Sequence, residues 1–216
     1  MPRLYTYIVR RDTGLAPNPY WGWCTLAVCT PNHQGSRVEP DDWVAGFLDK
    51  SRSHCFLYAM EVSEIMGLDE YFHDQSFAKK KPDLRGNWKQ RCGDNFYSKR
   101  KDGTWTQHRN RFHLGEAIKA QDTKYAKVFI GSRFWYLGRS ARSIPSNLAP
   151  LVGGRGARVN HDPILADRFR DWVQSRFSPG ILDLPNDNPD LSVSAEEIAV
   201  APCSSRTNPP KNSDCN

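Results

Sequence analysis

No two cysteines of the 216-residue chain are spaced as CxxC, and no HExxH occurs. Those absences leave little basis for a zinc ribbon or a zincin-type metal centre. His54 adjoins Cys55 and His108 lies five residues before His113, but neither pair forms a known ligand set; no metal and no cofactor is expected. No segment has the length and apolar character of a membrane helix. The first residues, MPRLYTYIVRRD, lack the apolar core of a signal peptide. The expectation is a cytoplasmic chain with no membrane partner, whose six cysteines (Cys24, Cys29, Cys55, Cys92, Cys203, Cys215) are reduced by default, although an even count permits disulfides. The GGRGAR run at 153–158 has no Walker Lys-Ser/Thr ending, which argues against P-loop nucleotide hydrolysis. There is no internal repeat.

Charge is present in excess and unevenly placed. Thirty Lys and Arg face twenty-four Asp and Glu, a formal balance of +6. Residues 79–111 hold eleven Lys or Arg against three Asp, a local +8; residues 181–216 hold six acids against two bases, a local −4. A basic centre with an acidic tail suits a polyanionic partner. The alternative is a solvated loop and a solubilising tail.

Aromatic and β-branched residues read as strands at 4–9 (LYTYIV), 24–29 (CTLAVC), 42–48 (DWVAGFL), 56–62 (FLYAMEV), 127–130 (KVFI) and 133–138 (RFWYLG). Gly46 marks a bulge or a close approach. Ser63 is placed to cap a short helix carrying Ile65, Met66 and Leu68. Residues 79–113 show little periodicity and read as a basic, aromatic-studded insertion. Asp162 caps the clearest helix, with Pro163 in its first turn and Leu165, Phe169, Trp172, Val173 and Phe177 on one face. The pattern predicts an α+β fold: a small mixed β-barrel with helical decoration over residues 1–180, then an acidic, loosely ordered tail over 181–216 that wraps the domain.

Three clusters carry candidate chemistry. In the first, Arg11 and Asp12 follow a strand end, Asn18 sits between two prolines, and Tyr20 and Trp21 crowd the same loop as Cys24. Asn18 can read a base edge, because its amide donates and accepts; the rings can stack a base; Cys24 can be a nucleophile with Asp12 or a histidine as proton partner. Equally, Asp12 and Asn18 cap turns, the rings form a lid, and Cys24 is a buried apolar residue. In the second, RCGDNFY, Arg91, Asn95 and Tyr97 surround Asp94, which serves as a general base or merely closes an Asx turn. The third holds Arg133, Trp135, Tyr136 and Arg139, with Arg155 further on; these bind phosphate and stack a base, or they pack the core.

The stretches YTYIVRRDTGLAPNPYWGWCTLAVCTP, RCGDNFY and KVFIGSRFWYLGR resemble the second nucleotide-modification-associated domain family. That family is similar to the PUA, ASCH and EVE group of small barrels and occurs with systems that modify bacterial and phage DNA, a setting that includes phage defence. The resemblance runs roughly over residues 4–172. It points to Arg11, Asp12, Gly14, Asn18, Pro19 and Cys24, to Arg91, Gly93, Asp94 and Asn95, and to Arg133, Phe134, Trp135 and Tyr136. It implies a partner that is DNA or a modified nucleotide, together with other proteins of a DNA-modification system. Two functions lead, ahead of a protein-binding accessory subunit whose ring-rich patches are interface. One is an enzyme on a modified base, such as a hydrolase or the hydration of a 7-cyano group in deazaguanine-type modification. The other is a non-catalytic reader of modified DNA or RNA.

Overall fold

A computed structural model describes residues 2–29, 35–153 and 157–191. Arg155 and the tail beyond residue 191 lie outside the described residues.

Two sheets stack face to face. The larger has the order β1-β3-β4-β9-β10, made of Leu4–Val9 (β1), Trp43–Leu48 (β3), Phe56–Glu61 (β4), Arg133–Tyr136 (β9) and Gly180–Ile181 (β10). β1 runs parallel to β3, and β4 pairs antiparallel with both β3 and β9. The second sheet has the order β2-β8-β5, from Cys24–Leu26 (β2), Lys127–Gly131 (β8) and Glu64–Gly67 (β5). A hairpin of Tyr97–Lys99 (β6) and Trp105–Gln107 (β7) is separate. The α+β class agrees with the sequence. Among the described residues the strands form open sheets and no closed barrel.

Side-chain alternation explains the layering. Along β9, Phe134 and Tyr136 face the second sheet, joining Cys24, Leu26 and Phe129, while Trp135 faces the other way. Trp135 stacks on Trp43 at 5.0 Å between centroids, beneath the helix Pro163–Arg176. That helix starts as its sequence predicts: Asp162 accepts from the Ile164 and Leu165 amides. Its buried face is Ala166, Phe169 and Val173, and burying Phe169 alone contributes about 2–3 kcal/mol. Gly46 sits at a register shift between β3 and β4, where a Cβ would meet the Tyr58 ring at 2.4 Å. The outer face of β2-β8-β5 packs against Leu68, Tyr71, Phe77, Phe96 and Tyr97, so the basic insertion forms a further layer.

Two local expectations change. Residues 64–67 are a strand, not a helix capped by Ser63: the Ser63 amide donates to Ile130 O and β5 continues along β8. Pairing overrides local helix signals here. The helix begins at Leu68 and runs Leu68–His73 (α1). The apolar run at 24–29 is hydrogen-bonded as strand only through Leu26; the chain then bends, and Cys29 adopts φ 64°.

Candidate active site around Cys29

The bend after β2 carries the thiol of Cys29 out of the apolar layer, where it is exposed. A non-glycine residue in the left-handed region costs of order 1–3 kcal/mol and is characteristic of functional turns. Cys29 Sγ lies 2.7 Å from Nε2 of His113. Nδ1 of the same ring lies 2.5 Å from Oδ2 of Asp122. Thiol, imidazole and carboxylate therefore form one line.

Asp122 organises both neighbours. It ends the helix Glu116–Asp122, where an acid opposes the helix dipole, so its placement rests on hydrogen bonds. Oδ1 accepts from the Cys29 backbone amide at 3.2 Å, while Oδ2 accepts from His113 and, at 2.9 Å, from the Tyr97 hydroxyl. Gln107, opposite Tyr97 in the β6–β7 hairpin, donates to the Tyr97 hydroxyl and to His113 O. Asn110 Oδ1 accepts from the Phe112 and His113 amides and fixes the loop from below. Burial disfavours a charged His113, but hydrogen bonds to Asp122 and Cys29 outweigh it and raise the ring from 6.5 to about 10. At neutral pH the ring is an imidazolium, the counter-ion that a nucleophilic thiolate requires.

Asn18, Cys24, Asp94 and Asn95 are brought together elsewhere, inside a fully buried knot. Lys80 Nζ donates to Asn18 O, Asn18 Oδ1, Trp23 O and Thr25 Oγ1 at 2.8–3.0 Å. Thr25 in turn donates to Asp94 Oδ2 at 2.6 Å, and Tyr71 donates to Oδ1 at 2.8 Å. Burial pushes Lys80 down to about 8 despite Asp94, and pushes Asp94 up despite Lys80. Asn95 donates to Tyr71 O and Phe77 O. Burial also pushes the Cys24 thiol up to about 12, which leaves it protonated at neutral pH. The knot ties the insertion to β2.

Asp12 anchors the returning chain. It accepts from Tyr136 and from the backbone and side chain of Asn186, while its amide donates to Asp187. The arginines are largely engaged within the chain: Arg91 with Asp190 at 3.0 Å, Arg133 with Glu61 and over the Trp135 ring, and Arg139 with Leu191 O. Trp135 and Tyr136 are core residues. Arg11 is exposed, Tyr20 is buried edge-on to Trp21 and Trp88, and Trp21 is half-buried at φ 60°.

Of the sequence-derived site residues that lie among the described residues, only Tyr97 touches the thiol–imidazole–carboxylate line. Cys29, His113 and Asp122 carry one local signal: Cys29 closes an apolar run immediately before a polar, Pro-containing turn. Among the described residues no group of three or more His, Cys, Asp or Glu is arranged to hold a metal ion, and no helix is long and apolar enough to cross a membrane.

The molecule is thus an α+β protein bearing an exposed cysteine aligned with a histidine and a buried aspartate. It belongs to the nucleotide modification associated domain 2 family, which it matches over residues 1–191. No curated protein and no solved structure matches the chain. Membership ties it to nucleotide modification systems.

Proposed function

We propose that the protein is a cysteine-nucleophile enzyme that adds water to an electrophilic carbon of a modified base, in DNA or in a nucleotide. The observation that carries this reading is the alignment of Cys29 Sγ, the His113 ring and Asp122. For a cyano group, the Cys29 thiolate adds to the nitrile carbon while the His113 imidazolium protonates the nitrogen, giving a neutral thioimidate. Neutral His113 then takes a proton from water as its oxygen adds to the carbon, and passes that proton to the nitrogen. Collapse of the tetrahedral adduct breaks the C–S bond, and the hydroxyl proton returns to His113. The product is the amide, the sum is one water consumed, and the thiolate–imidazolium pair is regenerated. An ester or amide substituent reacts through the same pair by way of a thioester. Asp122 positions the ring and stabilises its charge, as a triad carboxylate does.

A non-catalytic reader needs a pocket but no activated thiol, so the alignment favours the enzyme. The test incubates the protein with oligonucleotides and free nucleotides carrying cyano, ester or amide substituents and weighs the products. The expected result is a gain of one water, or hydrolytic loss of the substituent, abolished by Cys29→Ser. Binding with no mass change across the panel supports the reader instead.

A further inference from the structure

A second feature stands on the other side of β2 from Cys29. Trp21 precedes that strand, Cys29 follows it, and eight residues of chain keep them within about 26 Å of each other. Beside Trp21 lies a groove of about 450 Å³ whose walls include Lys79, Lys81, Asp83, Lys89 and Gln90. Three lysines thus face one acid, and Asp83 is partly occupied in accepting from the Arg85 amide. Lys79 and Lys89 are exposed, and among the described residues neither is in an ion pair. Lys81 rests over the Phe72 ring at 4.1 Å. Lys89 lies 5.9 Å from the Tyr20 ring centre and 5.5 Å from that of Trp88. Tyr20 sits edge-on to Trp21 at 5.7 Å and to Trp88 at 5.5 Å, so the three rings form one rigid wall. A second groove of about 280 Å³ shares Lys89 and is lined by Tyr20, Trp88, Ile181, Leu182, Asp183 and Leu184, with the Asp183 carboxylate accepting from Ser140 Oγ and the Leu184 amide. Two grooves joined at a cation and walled by rings make a track instead of a single pocket.

We infer that this track binds a single nucleic-acid strand, with Lys79 and Lys89 on phosphates and the half-exposed Trp21 ring beneath an unpaired base. Unpaired cations track a phosphodiester backbone, and an indole face accepts any base that is not already stacked and paired. A duplex offers the phosphates and withholds the base faces. A mononucleotide offers one base and cannot span both grooves. The inference does not depend on the thiol chemistry, and binding is read without turnover. Failure of the track therefore leaves the Cys29 reading standing, and failure of that reading leaves the track standing.

The experiment is fluorescence anisotropy of the full chain with a labelled twelve-nucleotide single strand of DNA, the same sequence as RNA, the DNA duplex and a labelled mononucleotide, each across a salt series. Salt-dependent binding of a single strand, tighter than the duplex and the mononucleotide, is expected; the ratio of the DNA and RNA arms identifies which strand is the occupant. Lys79→Ala with Lys89→Ala lowers the slope of log K against log salt by about 1.4, because each lost single-strand phosphate contact removes about 0.7. Trp21→Ala weakens binding at least about fivefold with the slope unchanged, and Trp21→Phe, which keeps a ring, restores most of it. Arg168→Ala, an exposed charge on the helix Pro163–Arg176, leaves the slope within error. The inference is overturned if the lysine pair behaves as Arg168→Ala does, or if duplex or mononucleotide binds as tightly as the single strand.

Discussion

Cys29 and His113 are 84 residues apart in the chain, and their Sγ and Nε2 atoms are 2.7 Å apart in the fold. Asp122 makes the meeting reproducible, because one of its oxygens holds the Cys29 backbone and the other holds the His113 ring. Nucleophile and base are therefore set by the same buried carboxylate.

Cys29→Ala is expected to lower kcat/KM by at least about 10³ while leaving thermal stability almost unchanged, since the side chain is exposed. Cys24→Ala is expected to do the reverse, keeping turnover and losing about 1 kcal/mol of stability from a fully buried site. Steady-state kinetics and urea melts of the two variants separate the thiols.

Asp122→Asn removes the charge that holds His113 protonated and is expected to lower kcat by about 10²–10⁴. Its diagnostic readout is the pH profile. In the wild type the basic limb reflects a ring raised to about 10; in the variant that limb moves toward neutrality. A fall in activity with an unshifted limb would show that Asp122 acts on the fold alone.

Stability should carry the same signature. His113 binds its proton more tightly folded than unfolded, 6.5 moving to about 10. Its contribution is fully present below pH 6.5 and is lost as pH rises through about 10. Urea unfolding of wild type and His113→Gln is expected to show a stability gap that is widest at acidic to neutral pH and closes in alkali.

The Lys80–Thr25–Asp94 knot is expected to be structural. Lys80→Met leaves Asp94 buried without its counter-charge and should cost about 3–5 kcal/mol. Asp94→Asn should cost stability in the same direction while leaving the alkylation rate of Cys29 unchanged, because the knot and the thiol line share no hydrogen bond.

Much of this fold is legible locally. Strands β1, β3, β4, β8 and β9 follow from alternating aromatic and β-branched residues, and Asp162 with Pro163 announces the helix that covers the larger sheet. Gly46 is readable as a bulge because a side chain there would collide with Tyr58. What local pattern cannot convey is pairing across distance. Residues 64–67 become a strand because β8 lies alongside them. Arg91, Arg133 and Arg139 are taken by Asp190, Glu61 and Leu191 O, and Trp135 and Tyr136 are taken by the core. Cys24 and Cys29 bracket one apolar run and look equivalent in sequence. Only the bend after Leu26 separates a buried thiol from an exposed one, and only the folding of residues 108–122 back over that bend supplies the ring and the carboxylate.

The most direct measurement needs no substrate. The full chain is alkylated with iodoacetamide from pH 5 to 10, and each cysteine is followed by peptide mass mapping. Cys29 is expected to react first, and at neutral pH at least about tenfold faster than in His113→Gln. Equal rates in the two proteins, or faster labelling of Cys24 or Cys92, would contradict an imidazolium-activated thiol at Cys29.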